Sequence, residues 1–441
     1  MRLKRVLSFG ISVFLAYCLP QLSWSQKFGS FEREQAQGML RDVASDVKKH
    51  YYDPTFHGLD WDAKVREMKG AIDKADSMSM AIADVAAVLD GLHDSHTFFQ
   101  PPGRTYAYDY GFEMQMIGDR CYVVRVRPGA DAENKLRPGD QITKVVDIVP
   151  TRDNFAKLTY ILTILWPQQE LRMSLHAPDG TDRQLTVSAK VRELPLVRDQ
   201  GAKGILGPDL YERMRQKDNW EQLRHPRFIE KGDDLLIVKL GVFFLTPSEV
   251  DSMIARMRKH NGVLLDLRAN HGGAEDTLQA LLGGIFDSDV KIGDRVGRGF
   301  ITPLEAKSRR DGFTGKLIVL VDSQSSSASE LLARVVQLEK RGQVIGDRTS
   351  GRVMEARHYD YTTGFGTVIS YGASITEADI KMKDGQTLER RGVSPDTVVS
   401  PTAPDLATGR DPVLAQAAAM FNVKITPEEA GALFPYEWPK E

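Results

Sequence analysis

Cysteine is nearly absent: 441 residues contain only Cys18 and Cys121. A disulfide-stapled scaffold is excluded, and no cysteine pair has the spacing of a zinc site. Net charge is scarce too, at −2, and no basic stripe stands out, so nucleic acid is not an expected partner. The one long apolar run, Val6 to Leu22, is interrupted by Pro20 and is short for a membrane span. Internal repeats and low-complexity tracts are missing. No His/Cys/Asp/Glu spacing suggests a metal, and no cofactor is implied. What is present is ordinary for a soluble globular chain: 41% hydrophobic and 27% charged residues, enough for two or three domains.

The first 25 residues have the pattern of a secretory leader. Arg2, Lys4 and Arg5 precede the apolar run, and Ser23 and Ser25 are small residues at −3 and −1 before Gln26. Tyr17 before Cys18 is too bulky for a lipoprotein signal. Cleavage would leave Cys121 alone, with no intrachain disulfide and no stable membrane insertion. The expected location is a bacterial periplasm or the outside of the cell.

Residues 26–103 carry helical spacing, as in Val43, Val47 and then Ile82, Val85, Val88, Leu89, up to Leu92-His93-Asp94-Ser95-His96-Thr97. Residues 104–195 switch to short alternating runs, including 112–116, 122–126 and 171–175, separated by turns such as Arg137-Pro138-Gly139-Asp140. That turn and the strand after it resemble the signature of a PDZ domain. Tyr110-Gly111-Phe112 resembles its carboxylate-binding loop, where a peptide C-terminus docks and adds a strand. Such a domain can also be a spacer. Residues 196–232 read as a polar connector. From 233 to 420 strands and helices alternate: 235–238, a helix capped by Thr246-Pro247-Ser248-Glu249, 262–268, a helix around 278–285, 316–322, then 343–346. The tail 421–441 has no assigned element.

Within the α/β part, the apolar run Leu317–Val321 leads into Asp322-Ser323-Gln324-Ser325-Ser326-Ser327-Ala328-Ser329-Glu330 and then a helical pattern. Strand, tight turn and helix start follow one another. A serine there can cap the helix, or it can be a nucleophile whose oxyanion is held by free backbone N–H groups.

Four ordered motifs carry a resemblance that covers most of the mature chain: 266–273 (Asp-Leu-Arg-Ala-Asn-His-Gly-Gly), 325–330, Gly346-Asp347-Arg348-Thr349-Ser350-Gly351 and Gly392-Val393-Ser394-Pro395-Asp396. Asp411-Pro412-Val413-Leu414 also matches. The chain resembles the serine peptidases of the C-terminal-processing and tricorn-core family, S41-type. The resemblance implies an α/β, crotonase-like (ClpP/crotonase-type) core with a helical N-terminal region and a small β-rich PDZ-like domain. It implies an exported endopeptidase acting on protein or peptide substrates through an acyl-enzyme. Ser327 would be the nucleophile, with Ser325, Ser326 and Ser329 serving the turn and the helix cap. The oxyanion hole would use Ala328 N–H and one N–H from Gly272 or Gly273.

The C-terminal-processing branch takes a lysine as base. Arg352 stands at that position and Ala356 at that of its helper glutamine. A guanidinium stays protonated and cannot accept the serine proton. The tricorn-like branch instead uses a Ser-His pair and a glutamate before Gly-Val-x-Pro-Asp, which here are Ser95, His96 and Glu389. The expectation is His96 as base, oriented by Ser95 and Glu389. His96 in Asp-x-His-Thr can also be structural, Glu389 can be a surface neighbour of Arg390 and Arg391, and His358 is a rival base. His271 can line the cleft. The alternatives are a peptide-binding pseudoprotease, because the lysine is gone, and an esterase-like hydrolase, which the PDZ-like domain disfavours.

Overall fold

The computed structural model describes residues 28–104, 106–193, 198–199, 204–205, 225–363 and 369–438. The leader, and most of the connector expected at 196–232, lie outside the described residues.

The N-terminal region is three helices, Ser30–His50, Trp61–Ile72 and Met78–Asp90. Asp60 and Ser77 cap the second and third by accepting the Ala63 and Met80 N–H groups. The helices bury Val43, Val47, Ile72, Val85 and Val88 against one another. The helical pattern ends in a strand, Phe98–Gln100, which pairs antiparallel with Gly372–Ser374 of the long strand Ile369–Met382. That pairing stitches the N-terminal region into the core. Phe99, Tyr371, Ala373 and Ile375 share its hydrophobic cluster.

The core is a six-stranded sheet in the order 227–231, 235–239, 262–266, 316–321, 343–346, 397–398. The first pair is antiparallel and the remaining pairs are parallel. Both faces are covered, so the strands are continuous apolar runs: Gly262–Asp266 is buried throughout and Lys316–Val321 at every position but the first. Helices Pro247–Met257, Glu275–Ile285 and Ala328–Leu338 cover one face. The other is closed by Val413, Leu414, Ala417 and Ala418 of Pro412–Ala419, with Ile425 and Ala430 beyond it. Each fully buried Leu or Val contributes about 1.5–3 kcal/mol. Asp411 caps Pro412–Ala419 through Leu414 N and also pairs with both terminal nitrogens of Arg268, at 2.9 and 2.7 Å. Thus the Asp411-Pro412 motif ties the end of the 262–266 strand to the last part of the chain.

Residues 104–193 include a five-stranded antiparallel sheet, 112–117, 120–126, 141–145, 170–176 and 182–188, with 112–117 at one edge. Buried Asp140 accepts Arg137 N–H at 2.9 Å and pairs with Arg183, which explains the Arg137–Asp140 turn. The edge strand lies on the core. Gln115 Nε2 donates to Asp322 Oδ2 at 2.8 Å, Gly118 N–H to Asp347 Oδ2 at 2.8 Å, and Ser323 Oγ to the Met116 carbonyl. The C-terminal tail forms a short helix, Pro427–Ala432. It then crosses to the β-rich sheet, where Arg125 and Arg127 stack on Tyr436 and Trp438, 4.2 and 4.7 Å from the ring centroids.

Candidate active site

Three loops leave the carboxyl ends of parallel core strands and meet: 267–274, 322–327 and 347–352. This end of an open α/β sheet is where ligands bind as a rule. Ser327 starts the helix Ala328–Leu338 at φ 55°, ψ −121°, a conformation that L-residues rarely adopt. It persists because its surroundings overdetermine it. Ser327 N–H donates to the Arg352 carbonyl at 2.9 Å and to Glu330 Oε2 at 3.1 Å. The hydroxyl makes no capping bond and remains partly exposed.

The neighbouring serines hold the turn. Ser325 Oγ donates to the Leu267 carbonyl at 2.8 Å and accepts Asp322 N–H at 3.0 Å. Ser329 was expected to serve as helix cap. It does not: its buried hydroxyl donates to the Asn270 carbonyl at 2.9 Å, because it points into the 267–274 loop rather than back at the helix end.

Gly272 and Gly273 have φ of 88° and 146°. A Cβ on Gly272 would sit 2.7 Å from Ser327 Cβ and 2.9 Å from Ala328 N, so only glycine permits this approach. The two N–H groups are not equivalent. Gly272 N–H is taken by Asn270 Oδ1 at 2.8 Å. Gly273 N–H and Ala328 N–H have no acceptor among the described residues, and Gly273 is exposed.

The long strand Ile369–Met382 and the strands paired with it deliver the other groups. Ser95 and His96 immediately precede the strand Phe98–Gln100, and Arg352 precedes Met354–Thr363, which also pairs with Ile369–Met382. Glu389 follows the turn after that long strand. Glu389 Oε1 accepts Ser95 N–H at 2.8 Å, and Oε2 accepts Ser95 Oγ–H at 2.8 Å and Val353 N–H at 3.0 Å. Ser95 Oγ lies 2.8 Å from His96 Nδ1. Glu389 is therefore a partner of Ser95 and not a surface neighbour of Arg390. Asp94 Oδ1 accepts His96 N–H and Thr97 N–H, fixing the loop. Burial, then the positive Arg352, push the His96 imidazole down to about 4, with Asp94 opposing. Burial pushes Glu389 above the usual carboxylate range, against the hydrogen bonds from Ser95 and Val353.

Arg352 links the two halves: its guanidinium donates to the Ser95 carbonyl at 3.0 Å while its own carbonyl receives Ser327 N–H. No hydrogen bond joins Ser327 Oγ to His96 among the described residues. His358 does not enter this cluster. It is exposed on its strand and bonded to Asp360 at 3.1 Å. His271, on the 267–274 loop, is exposed.

Glu330 is the member that sequence reasoning passed over. It is fully buried, and its Oε1 accepts Thr349 Oγ1–H at 2.6 Å and Gly351 N–H at 2.7 Å. Its Oε2 accepts Arg352 N–H at 2.9 Å as well as Ser327 N–H. One carboxyl group thus ties the Ser327 turn to the Arg352 loop. Burial pushes it up to about 7, against the pull of those donors. The available signal was its place three residues after Ser327, the N3 position of a capping box.

Tyr110 and Gly111 are less open than a carboxylate-binding loop suggests. Tyr110 is buried, with its hydroxyl 2.8 Å from the Gln168 carbonyl, and Gly111 N–H donates to Asp109 Oδ1 at 2.9 Å. Phe112 begins the edge strand. Among the described residues no cluster of three or more His, Cys, Asp or Glu can hold a metal, and no helix is long and apolar enough to cross a membrane.

The α/β core thus presents a strained serine at a helix start, with two backbone N–H groups beside it that have no acceptor among the described residues, an arrangement found in serine-type peptidases. Residues 234–399 match the model of peptidase family S41, and residues 32–74 match that of the tricorn protease C1 domain. The chain is 25% identical over 291 residues to the tail-specific protease of Haemophilus influenzae, covering 61% of this chain and 38% of that protein. It is 26% identical over 387 residues to the chloroplastic C-terminal processing peptidase of Tetradesmus obliquus, covering 80% and 75%. The structure of mature CPAF complexed with lactacystin superposes with a TM-score of 0.63 at 14% identity, covering 86% of this chain and 96% of that one, which is a likeness of fold.

Proposed function

We propose that this chain is an exported serine endopeptidase that cleaves protein substrates through an acyl-enzyme on Ser327. The observation that carries the proposal is the hydrogen-bonded series Glu389–Ser95–His96, joined to Ser327 through Arg352. With Glu389 ionised, the single Ser95 hydroxyl proton goes to Glu389, so Ser95 Oγ accepts from His96 Nδ1–H. His96 Nε2 then carries the lone pair. Ser327 Oγ attacks the scissile carbonyl carbon and its proton passes to Nε2. The oxyanion rests on Ala328 N–H and Gly273 N–H. As the C–N bond breaks, His96 returns the proton to the leaving amine, and water then hydrolyses the ester. Gly272 contributes close approach rather than a donor.

Arg352 has no part in proton transfer; its guanidinium is committed to Ser95 O. Export is supported by the leader pattern of residues 1–25. Recognition of substrate tails by residues 104–195 is supported by the Arg137–Asp140 turn signature.

A fluorophosphonate probe is expected to label the wild type and not Ser327→Ala. His96→Ala is expected to lose several orders of magnitude in peptide turnover while remaining folded, and Arg352→Ala far less. Wild-type turnover in His96→Ala would move the base elsewhere. A wild type with neither labelling nor turnover would make the chain a peptide-binding pseudoprotease.

A further inference from the structure

We infer that Tyr51 is a positioning residue for His96, and that its hydroxyl proton, shared between His57 and Asp94, makes the His96 loop responsive to pH. The inference rests on His96 being the base, as proposed above. Asp94 Oδ1 holds that loop: besides His96 N–H and Thr97 N–H, it accepts Thr376 Oγ1–H at 2.9 Å. The other carboxylate oxygen, Oδ2, is buried and makes no hydrogen bond among the described residues. A buried acceptor left unmet is costly, and any donor that reaches it steadies the loop. Tyr51 is placed to be that donor. It is fully buried at the end of helix Ser30–His50, and burial first, then the Asp94 carboxylate beside it, raise its phenol well above the ordinary range. It therefore keeps its proton. The next residue ties the same point to the loop, because Tyr52 N–H donates to the Thr376 carbonyl at 3.0 Å.

The Tyr51 hydroxyl is directed at His57, 3.1 Å from Nε2. The turn that puts His57 there is strained, with Phe56 and His57 at φ of 51° and 55°. Asp53 enforces it: Oδ1 accepts Thr55 N–H and Oγ1–H, and Oδ2 accepts His57 N–H and lies 3.3 Å from His57 Nδ1. Nδ1 therefore carries the proton in either charge state, and Nε2 has one lone pair when the ring is neutral. The Tyr51 and Tyr52 hydroxyls, at 3.1 and 3.2 Å, contend for it. Once the exposed ring is protonated, Nε2–H donates instead. Neither phenol can then give its proton to His57, and that of Tyr51 has Asp94 Oδ2 alone. The other charges facing the turn are Asp379 and Glu389, near Tyr52, and Arg298, whose Nε donates to the Tyr51 carbonyl at 3.0 Å. None of these bonds to either phenol among the described residues. Acid thus fills the Asp94 acceptor and steadies the loop that carries His96.

The test uses the purified full chain and one fluorogenic peptide, and reads the ratio of kcat at pH 5.5 to kcat at pH 8. Tyr51→Phe deletes one oxygen and keeps the packing of the ring. It should lower kcat at pH 5.5 by about tenfold with KM little changed. His57→Phe leaves the Tyr51 proton to Asp94 at every pH, so its kcat at pH 8 should rise toward the acid value. The wild-type ratio is therefore expected to exceed that of both variants by about three- to tenfold. Tyr52→Phe, which leaves Nε2 to Tyr51 alone, should exceed wild type. Hydrogen exchange at the His96 and Thr97 amides, corrected for intrinsic rate, reads the loop without turnover. Protection should be greater at pH 5.5 than at pH 8 in wild type and equal at the two in Tyr51→Phe. Equal kcat ratios in wild type, Tyr51→Phe and His57→Phe would overturn the inference, as would wild-type protection that does not change with pH. Fluorophosphonate labelling of wild-type Ser327 separates the two failures. A labelled enzyme with equal ratios loses only this inference; an unlabelled one without turnover loses the peptidase reading and this inference with it.

Discussion

Glu389 Oε2 lies 2.8 Å from Ser95 Oγ, although 294 residues separate them in the chain. The contact means that an imidazole in the N-terminal region is oriented by a carboxylate from the far end of the core domain. Ser95→Ala leaves Nδ1–H without its acceptor and frees the ring to turn. Turnover is expected to fall about 10- to 100-fold with KM changed far less. Glu389→Gln should fall similarly, because an amide can offer its NH₂ to Ser95 Oγ and reverse the direction of the chain. Steady-state kinetics on the two variants and their double mutant check this. Equal losses in single and double mutants are the mark of one device, and additive losses would show that the two residues act separately.

The positive charge of Arg352 acts on His96 in a way that pH can reveal. Burial and that cation together hold the imidazole down at about 4, below its ordinary 6.5. The acidic limb of kcat/KM is expected well below that of an unperturbed histidine. Arg352→Met removes the cation, so the limb should move to higher pH. A profile that stays in place would separate Arg352 from the base.

Glu330 gathers four donors, none of which can be withdrawn without leaving a buried polar group unpaired. Glu330→Gln puts an NH₂ against two of them and is expected to cost about 1–3 kcal/mol in urea unfolding. Its linkage has a defined sign. The folded pKa of about 7 lies above the unfolded 4.5, so this group's contribution is present below pH ~4.5 and is lost as pH rises through ~7. His96 has the opposite sign: its folded pKa is depressed, and its contribution is lost as pH falls through ~4. Comparing wild type with Glu330→Gln at pH 5 and 8 isolates the first. The variant's deficit should be larger at pH 5.

The β-rich part offers a binding test. The full chain carrying Ser327→Ala is expected to bind peptides with a free C-terminal carboxylate more tightly than their amidated forms. Titration by fluorescence anisotropy measures the difference. Equal affinities would make residues 104–195 a spacer or a lid.

Much of this molecule was legible because its determinants are local. Period-two and period-3.6 patterns, the Thr246–Glu249 cap and the run 317–321 each act within a few residues, and the strands and helices of the core lie where those patterns put them. The family motifs likewise marked the three loops at the carboxyl edge, because each follows its own strand. What local chemistry cannot fix is which loop meets which. Only the pairing of 98–100 and 354–363 with the long strand 369–382 brings Ser95 and His96 to Arg352, whose carbonyl receives Ser327 N–H. Only packing makes Ser329 a tether to Asn270 rather than a cap, and occupies Gly272 N–H while leaving Gly273 N–H open. The same holds for Glu330: as a letter it is one acidic residue at a helix start, and its four partners exist only once the 322–327 and 347–352 loops have closed around it. Sequence determined the elements and the reactive groups; burial and backbone contacts between distant segments decided which of those groups share a site, because hydrogen bonds and desolvation depend on distance in space, not along the chain.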